Sequence, residues 1–298
     1  MNILITGGGG FVSPYLLDAL DPSWTVTLHV RDPRKAAETP PRPGMRVISG
    51  PLSKEALLSQ VPEGCRLVIH LAGAFSGENI EAILESNLVS TENVLSFMME
   101  RRVPHLVFMS TAAVWSDSTG VRLTERMPPH PTTPYGYAKL AAECLIGDAL
   151  RQGHLTSAAI LRANTTYGRG SNQGVVSAFR SCAVRGQPFA IDGDGQQLRE
   201  PLCISDLVAA IVKTFDLGAG LHVYGISGPE SLSILEIAET MAVVLGIEFK
   251  VEWKPARIEH SRHLLISTEK VRKELGWAPR VRFEEGIRQL LVVDQGRQ

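Results

Sequence analysis

The sequence predicts a doubly wound α/β protein, a parallel sheet flanked by helices, with a smaller C-terminal lobe. The first six residues, Met-Asn-Ile-Leu-Ile-Thr, form a short uncharged run that passes straight into Gly7, Gly8, Gly9 and Gly10 and then into a helical pattern. Strand-like and helix-like segments then alternate to about residue 166, as parallel strands joined by crossover helices require. The 298 residues exceed the usual size of a single core, so one large unit plus a smaller lobe is expected.

Taken in order, residues 1–6 read as a strand buried on both faces, because central strands of parallel sheets are continuous apolar runs. Residues 14–20 read as a helix, and 24–30, 45–49, 66–71 and 105–110 as the next four strands. A long helix is expected over 79–102, another over 135–151, and a strand over 156–162. Ligands of such sheets bind beyond the carboxyl ends of the strands, which is where Gly73, Ser110 and Thr111 fall. Beyond Thr166 the pattern loosens into glycine-rich loops, with helices at 233–245, 268–275 and 283–292. The expected division is 1–167, with a return segment near 203–228, and a lobe over 168–298.

Thirty basic and 31 acidic side chains give a net charge of −1. No lysine/arginine run is dense enough for a nucleic-acid or membrane-surface protein, and no apolar stretch approaches a membrane span. Cys65, Cys144, Cys182 and Cys203 lack metal-ligand spacing. The chain opens on a core strand without a signal peptide, so a cytoplasmic location is expected. His260 and His263 have no carboxylate or cysteine companion, and they read as surface histidines; no metal is expected.

Two local patterns carry chemistry. In Gly7-x-x-Gly10-x-x-Ser13, glycines between a strand and a helix let the backbone approach a pyrophosphate, whose charge then rests on the helix N-terminus. Ser13 is small enough for the close helix–strand packing that a third glycine would give. Tyr135 and Lys139, in the segment Pro134-Tyr-Gly-Tyr-Ala-Lys139, are spaced i and i+4 and share one helix face. A fixed ammonium beside a phenol lowers its pKa from about 10, which makes Tyr135 an acid/base for an alcohol proton. Tyr137 is two residues from Lys139 and points elsewhere. A solvated i,i+4 pair is the competing reading.

These residues resemble the extended short-chain dehydrogenase/reductases that act on nucleotide sugars, the epimerase/dehydratase family of the UDP-galactose 4-epimerase type. The likeness covers nearly the whole chain: residues 6–12, His70 to Gly73, Asn87 to Leu95, Ser110 to Val114, Pro134 to Lys139, Leu161 and Arg162 with Tyr167 and Gly168, Gly193 to Glu200 before Asp206, and Leu275 to Pro279. It implies a Rossmann-type cofactor domain and hydride transfer at a sugar carbon. Tyr135 would be the acid/base, Lys139 would also grip the nicotinamide ribose, and Thr111 would bridge the sugar oxygen and Tyr135, with Ser110 in reserve. Gly7, Gly10, Phe11 and Val12 would line the pyrophosphate turn, Leu71, Ala72 and Gly73 would pass under the cofactor, and Asn87 would support this wall and count among the substrate-binding residues.

The family's NAD users carry an acidic residue at the end of the second strand; Arg31 stands there instead, so NADP is expected over NAD, with Asp32 the residue that a one-position slip would substitute. A guanidinium suits a 2′-phosphate through bidentate hydrogen bonds. Arg199 and Arg257 align with arginines that hold the substrate diphosphate, and Thr165 occupies the place of a substrate asparagine. Pro51 and Trp115 replace the family's aspartate and tyrosine, the latter with an altered sugar pocket in prospect. Where the 4,6-dehydratases follow the catalytic Thr with Asp-Glu, this chain has Ala112-Ala113, so a 4-epimerase or 4-ketoreductase is expected rather than a dehydratase. A non-catalytic dinucleotide-binding sensor is the alternative from another class. The resemblance also implies a homodimer built on the helices over 79–102 and 135–151.

Overall fold

A computed structural model describes residues 1–37, 39–74, 79–115, 121–256 and 263–295. In chain order its first half runs β1 (Asn2–Thr6), α1 (Ser13–Ala19), β2 (Thr25–Val30), α2 (Pro33–Ala37), β3 (Met45–Ser49), α3 (Lys54–Gln60), β4 (Leu67–His70), α4 (Ile80–Leu84), a π-helical turn (Glu85–Val89), α5 (Ser90–Arg101), β5 (His105–Thr111), α6 (Pro134–Arg151) and β6 (Ser157–Ala163). It continues with β7 (Thr166–Tyr167), α7 (Gly174–Val184), β8 (Phe189–Asp192), β9 (Leu198–Arg199), β10 (Leu202–Cys203), α8 (Ile204–Lys213), β11 (Gly220–Ile226), β12 (Leu232–Ser233), α9 (Ile234–Leu245), β13 (Val251–Lys254), α10 (Glu269–Leu275) and α11 (Phe283–Gln295).

Seven strands form one sheet in the order β11-β6-β5-β4-β1-β2-β3. The chain starts in the middle at β1, winds out to β3, and returns to β4 on the other side of β1. The pairs β1–β2, β2–β3, β1–β4 and β4–β5 are parallel. This is the doubly wound arrangement, and the order reverses between β1 and β4, the place where such sheets bind ligands. Thr6 pairs in register with His29 of β2 and His70 of β4, so the glycine turn, Leu71 and the β2 end all emerge at one edge. Apolar strand residues Leu4, Val68, Leu106 and Phe108 pack with Phe97 and Met98 of α5 and with Ala142 and Ile146 of α6. Fully burying each such large side chain contributes about 1.5–3 kcal/mol.

The helix expected over 79–102 is interrupted. Asn79 caps α4 by accepting the Ala82 N–H at 2.7 Å. The Asn87 side chain then donates to the Ile83 carbonyl at 2.9 Å, and the backbone around it widens into the π turn, as inserted side chains cause in helical ladders.

By backbone proximity the chain divides into two compact units: residues 1–114, 129–162 and 208–224, and residues 115–128, 163–207 and 225–298. The boundary differs from the sequence expectation of a first domain running to 167. Residues 115–128 are stitched into the second unit, where Leu123 bridges to Ile266 and Arg122 ion-pairs with Glu200. In that unit β8 and β13 pair in parallel, and Asp206 Oδ2 accepts the N–H groups of Arg280 and Val281 at 2.9 Å. Asp206 therefore orients a loop.

Candidate active site

The glycine turn between β1 and α1 is shaped by contact with the chain leaving β4. Gly7 has φ 78°, and a Cβ there would stand 2.7 Å from Ala72 N and 2.8 Å from Leu71 C, so only glycine fits. Gly10 donates its N–H to the Gly7 carbonyl at 2.9 Å and Gly8 donates to the His29 carbonyl at 2.8 Å. Ser13 is buried at the start of α1, and Phe11 and Val12 are half-buried before it. Leu71 and Ala72 are half-buried and Gly73 is exposed.

Beneath this turn lies a network that sequence reasoning missed. Ala72 N–H donates to Thr6 Oγ1 at 3.3 Å, Thr6 Oγ1 lies 2.6 Å from His70 Nδ1, and His70 Nε2 lies 3.1 Å from Thr91 Oγ1. The Thr91 hydroxyl donates to the Asn87 carbonyl at 2.6 Å. With that proton committed, His70 Nε2–H must be the donor to Thr91 and Nδ1 must accept from Thr6. His70 is fully buried and neutral, its pKa pushed down to about 3 chiefly by burial and then by Lys139. A histidine inside the apolar run of β4 was the available signal.

Thr133 caps α6 by accepting the Gly136 N–H at 3.1 Å, with Pro134 opening the helix. A Cβ on Gly136 would meet the Ala113 carbonyl at 2.5 Å, so glycine here lets α6 begin against the turn that follows β5. That approach brings Tyr135 to Thr111. The Thr111 hydroxyl, which accepts the Ala113 N–H at 3.1 Å, donates to the phenol oxygen.

The lowered phenol pKa expected from Lys139 is not what this arrangement produces. Burial pushes Tyr135 up to about 12, opposed only in part by the Thr111 hydrogen bond. Lys139 is buried, donates to the Met109 carbonyl at 2.9 Å and lies 4.6 Å above the Phe108 ring centre. Its own pKa is brought down to about 8 by burial, while Glu143 works in the other direction. Desolvation outweighs the Thr111 hydrogen bond at Tyr135 and the Glu143 charge at Lys139.

Ser110 and Thr111 are adjacent on β5 and point to opposite faces. Ser110 is buried and donates its hydroxyl to Glu143, so that proton is committed away from the reserve role beside Thr111. Glu143 is gripped by Arg162 of β6 through Nε at 3.1 and 3.2 Å and Nη2 at 2.7 Å. Sequence reasoning singled out neither as a site group, although Glu143 follows Lys139 by one helical turn.

Asn87, expected among the substrate contacts, is fully buried in the π turn. Its amide donates to the Ala74 and Ile83 carbonyls at 2.9 Å, and its Oδ1 has no hydrogen-bond partner. A Cβ on Gly73 would fall 2.6 Å from that Oδ1 and 3.0 Å from Lys139 Nζ, so Asn87 belongs to the support beneath the site.

Arg31 directly follows β2, is exposed, and donates to Ser86 Oγ at 3.3 Å. Asp32 is engaged at the start of α2: it accepts the Arg34 backbone N–H at 2.9 Å and pairs with its guanidinium at 3.1 Å. Lys35 lays its stem against the glycine turn, its Cδ 3.1 Å from where a Gly9 Cβ would be.

In the second unit, Arg199 is half-buried on β9 with Nη1 donating to the Leu198 carbonyl at 2.8 Å. Thr165 is half-buried, whereas Asn164 is buried and donates to Ser227 Oγ and the Leu264 carbonyl. Trp115 is buried, its indole N–H reaching the Met127 carbonyl at 3.4 Å, so its exchange for tyrosine is an interior change. His263 Nδ1 accepts the Leu198 N–H at 3.3 Å. Arg257 and His260 lie outside the described residues. Among the described residues, no group of three His, Cys, Asp or Glu side chains is placed to hold a metal, and no helix is long and apolar enough to cross a membrane.

A doubly wound sheet with a glycine-lined turn at its switch point defines the class, a Rossmann-type α/β protein. The chain belongs to the NAD dependent epimerase/dehydratase family, whose model matches residues 3–226. The resemblance read from the motifs is thereby borne out. Among curated relatives, it is 28% identical to UDP-glucose 4-epimerase of Corynebacterium glutamicum, covering 94% of this chain and 91% of the other. It is 25% identical to dTDP-glucose 4,6-dehydratase of an Actinoplanes species, covering 96% and 95%. Among solved structures, MoeE5 in complex with UDP-glucuronic acid and NAD matches with a TM-score of 0.89 and 27% identity over 100% of both chains. Epimerases and dehydratases both stand among the relatives, so similarity alone does not choose between them.

Proposed function

We propose that the protein is an NAD(P)-dependent enzyme acting on a nucleotide sugar by hydride transfer at a sugar carbon, as a 4-epimerase or a 4-ketoreductase. The observation that carries this is the Thr111–Tyr135 hydrogen bond with buried Lys139 one turn along the same helix. The residues present fit the cofactor: Gly7 has no room for a side chain and Gly10 is exposed, so the backbone is open to the approach of a pyrophosphate, and Lys139 and Asn87 Oδ1, which has no hydrogen-bond partner among the described residues, converge on exposed Gly73. When bound, the nicotinamide supplies or accepts the hydride. Gly7, Gly10, Phe11 and Val12 would hold its pyrophosphate, Leu71, Ala72 and Gly73 would lie beneath it, and Lys139 would take the ribose hydroxyls.

The chain's own groups handle the proton. With its pKa near 12, Tyr135 holds its proton at neutrality and is ready to give it to a ketone oxygen. Thr111 and the nearby ammonium then stabilise the phenolate that remains. Sugar oxidation runs the same transfer backwards. Ala112 and Ala113 carry no acid or base, so we read dehydration as lacking its proton-transfer groups in this chain.

NADP is the proposed preference, supported by exposed Arg31, by Lys35 against the glycine turn, and by the commitment of Asp32 to Arg34. Arg199 and Thr165 are proposed substrate contacts, with Arg257 beside them from the resemblance. A cytoplasmic homodimer fits the exposed apolar side chains Ile80, Leu84, Met99 and Tyr137 on α4, α5 and α6.

Purified protein incubated with a panel of nucleotide sugars decides the reaction. Conversion to the C4 epimer without added cofactor marks an epimerase. Stoichiometric NADPH consumption with a 4-keto sugar marks a reductase, and a 4-keto-6-deoxy product would overturn the reading of Ala112 and Ala113. Tyr135→Phe separates an enzyme from a dinucleotide sensor: turnover should fall by orders of magnitude with cofactor binding retained.

A further inference from the structure

Tyr135, Lys139 and Glu143 recur at four-residue spacing on α6 and so line one face. Glu143 is buried, 6% exposed, and its carboxylate is already filled: Oε1 accepts from Ser110 and Arg162, and Oε2 accepts from Arg162 twice. Its interaction with Lys139 is coulombic, while the Lys139 ammonium donates to the Met109 carbonyl. A free carboxylate one turn from a lysine normally closes an i,i+4 ion pair. Here a closed pair would consume the N–H groups that face Gly73, and Arg162, anchored on β6, holds the carboxylate back.

We propose that Glu143 is a positioning residue for the reaction: clamped by Arg162 and Ser110, it supports the charge of Lys139 through space and leaves the ammonium's donors available for ligands. The inference deepens the proposed function and rests on Lys139 serving there. The same clamp selects between two neighbouring hydroxyls, drawing Ser110 inward so that Thr111 alone serves Tyr135. Beside the Met109 carbonyl and the Phe108 ring, the other titratable groups described around the ammonium do not supply this support. His70 on β4 is neutral and Tyr135 holds its proton, so Glu143 is the anion that favours the charged lysine, with Arg162 beyond it.

The test reads Lys139 itself. Protein labelled with 13C at the lysine ε carbon is titrated by NMR, the Lys139 signal being assigned by its loss in Lys139→Arg. In Glu143→Gln the midpoint should drop below its wild-type position by about one pH unit, the usual effect of removing a nearby opposite charge. In Arg162→Gln the released carboxylate turns toward the ammonium, and the midpoint should rise by a similar amount. Should Glu143→Gln not fold, Glu143→Gln/Arg162→Met removes the whole pair, a replacement that interiors tolerate, and must still lower the midpoint. Opposite shifts in the single variants, or a lowered midpoint in the double one, support the proposal. Any other pattern, including an unchanged midpoint alongside a lower melting temperature, makes Glu143 a structural staple and overturns it. The titration needs no turnover, so it stands even if no nucleotide sugar is converted. For an active enzyme, the alkaline limb of kcat/KM should move with the midpoint.

Discussion

The two units each bury a carboxylate against an arginine, and the pairs differ in what surrounds them. Glu200 of the second unit is 1% exposed and accepts from Arg122, Ser227 Oγ, Ser231 Oγ and the Ile266 N–H. Its partners come from three separated stretches of chain, so it gathers loops. Glu143 of the first unit is bound, among the described residues, by Arg162 and Ser110, and its remaining influence falls on a lysine one helical turn away. Both carboxylates are buried, but Arg122 is half-exposed where Arg162 is buried, and Glu143 in addition has a third charged group, Lys139, one turn along its helix. A buried ion pair is weak evidence for either role until its neighbours are known.

The comparison breaks most visibly at the groups that Glu143 serves. Tyr135→Phe should lower turnover at least about 100-fold, the usual scale for a lost acid/base, with the unfolding midpoint little changed. Glu200→Ala should do the reverse. It leaves half-exposed Arg122 and three further donors without their acceptor, and a buried donor left unsatisfied costs about 1–3 kcal/mol, read as a lower denaturant midpoint. The Lys139 titration should stay where it is. If Glu200→Ala shifted that titration as far as Glu143→Gln does, the distinction between the two carboxylates would be lost.

How much was legible follows the same line. The strands read correctly because buried parallel strands are uninterrupted apolar runs, and the Met45–Ser49 strand was placed to the residue. Tyr135, Lys139 and Thr111 were legible because helix spacing and strand ends are local properties. Glu143 sits in the same segment, yet its meaning depends on Arg162, 19 residues away on another strand. The shift of Tyr135 was misjudged in sign because the sequence shows which charge is near but not how much water has been excluded. Asn87 was assigned to substrate for a related reason: its place in a π turn is a tertiary outcome. Residues 115–128 went to the wrong unit because Arg122 and Leu123 look like any loop until Glu200 and Ile266 are beside them.

Exposed charges give the contrasting case, where the effect is smaller. Arg31 is open to solvent at the end of β2, so its proposed contact with a ligand phosphate would be screened by salt. Arg31→Asp should shift the ratio of kcat/KM from NADPH toward NADH by about 10- to 100-fold, the range for a lost charge-assisted hydrogen bond of about 1.5–3 kcal/mol. Higher ionic strength should narrow the wild-type ratio. An unchanged preference would move the phosphate contact to Lys35 or Arg34 and remove Arg31 from the cofactor site.

The gentlest test concerns stability against pH, and its sign distinguishes buried Lys139 from these surface cations. Burial holds the folded-state pKa of Lys139 at about 8, below its ordinary 10.5. Between those values the unfolded chain binds the proton and the folded one does not, so this lysine makes stability rise with pH across that window. Below about pH 8 both states are protonated and its full burial penalty is present; above about 10.5 the penalty is gone. A group whose pKa is the same in both states adds no slope. Subtracting the unfolding free energies of Lys139→Met from those of the wild type, pH by pH from 7 to 10.5, removes the background of other titrating groups. The difference should climb with pH in favour of the wild type. A flat difference would mean that the ammonium keeps its water in the folded protein, and Glu143 would then have no buried charge to support.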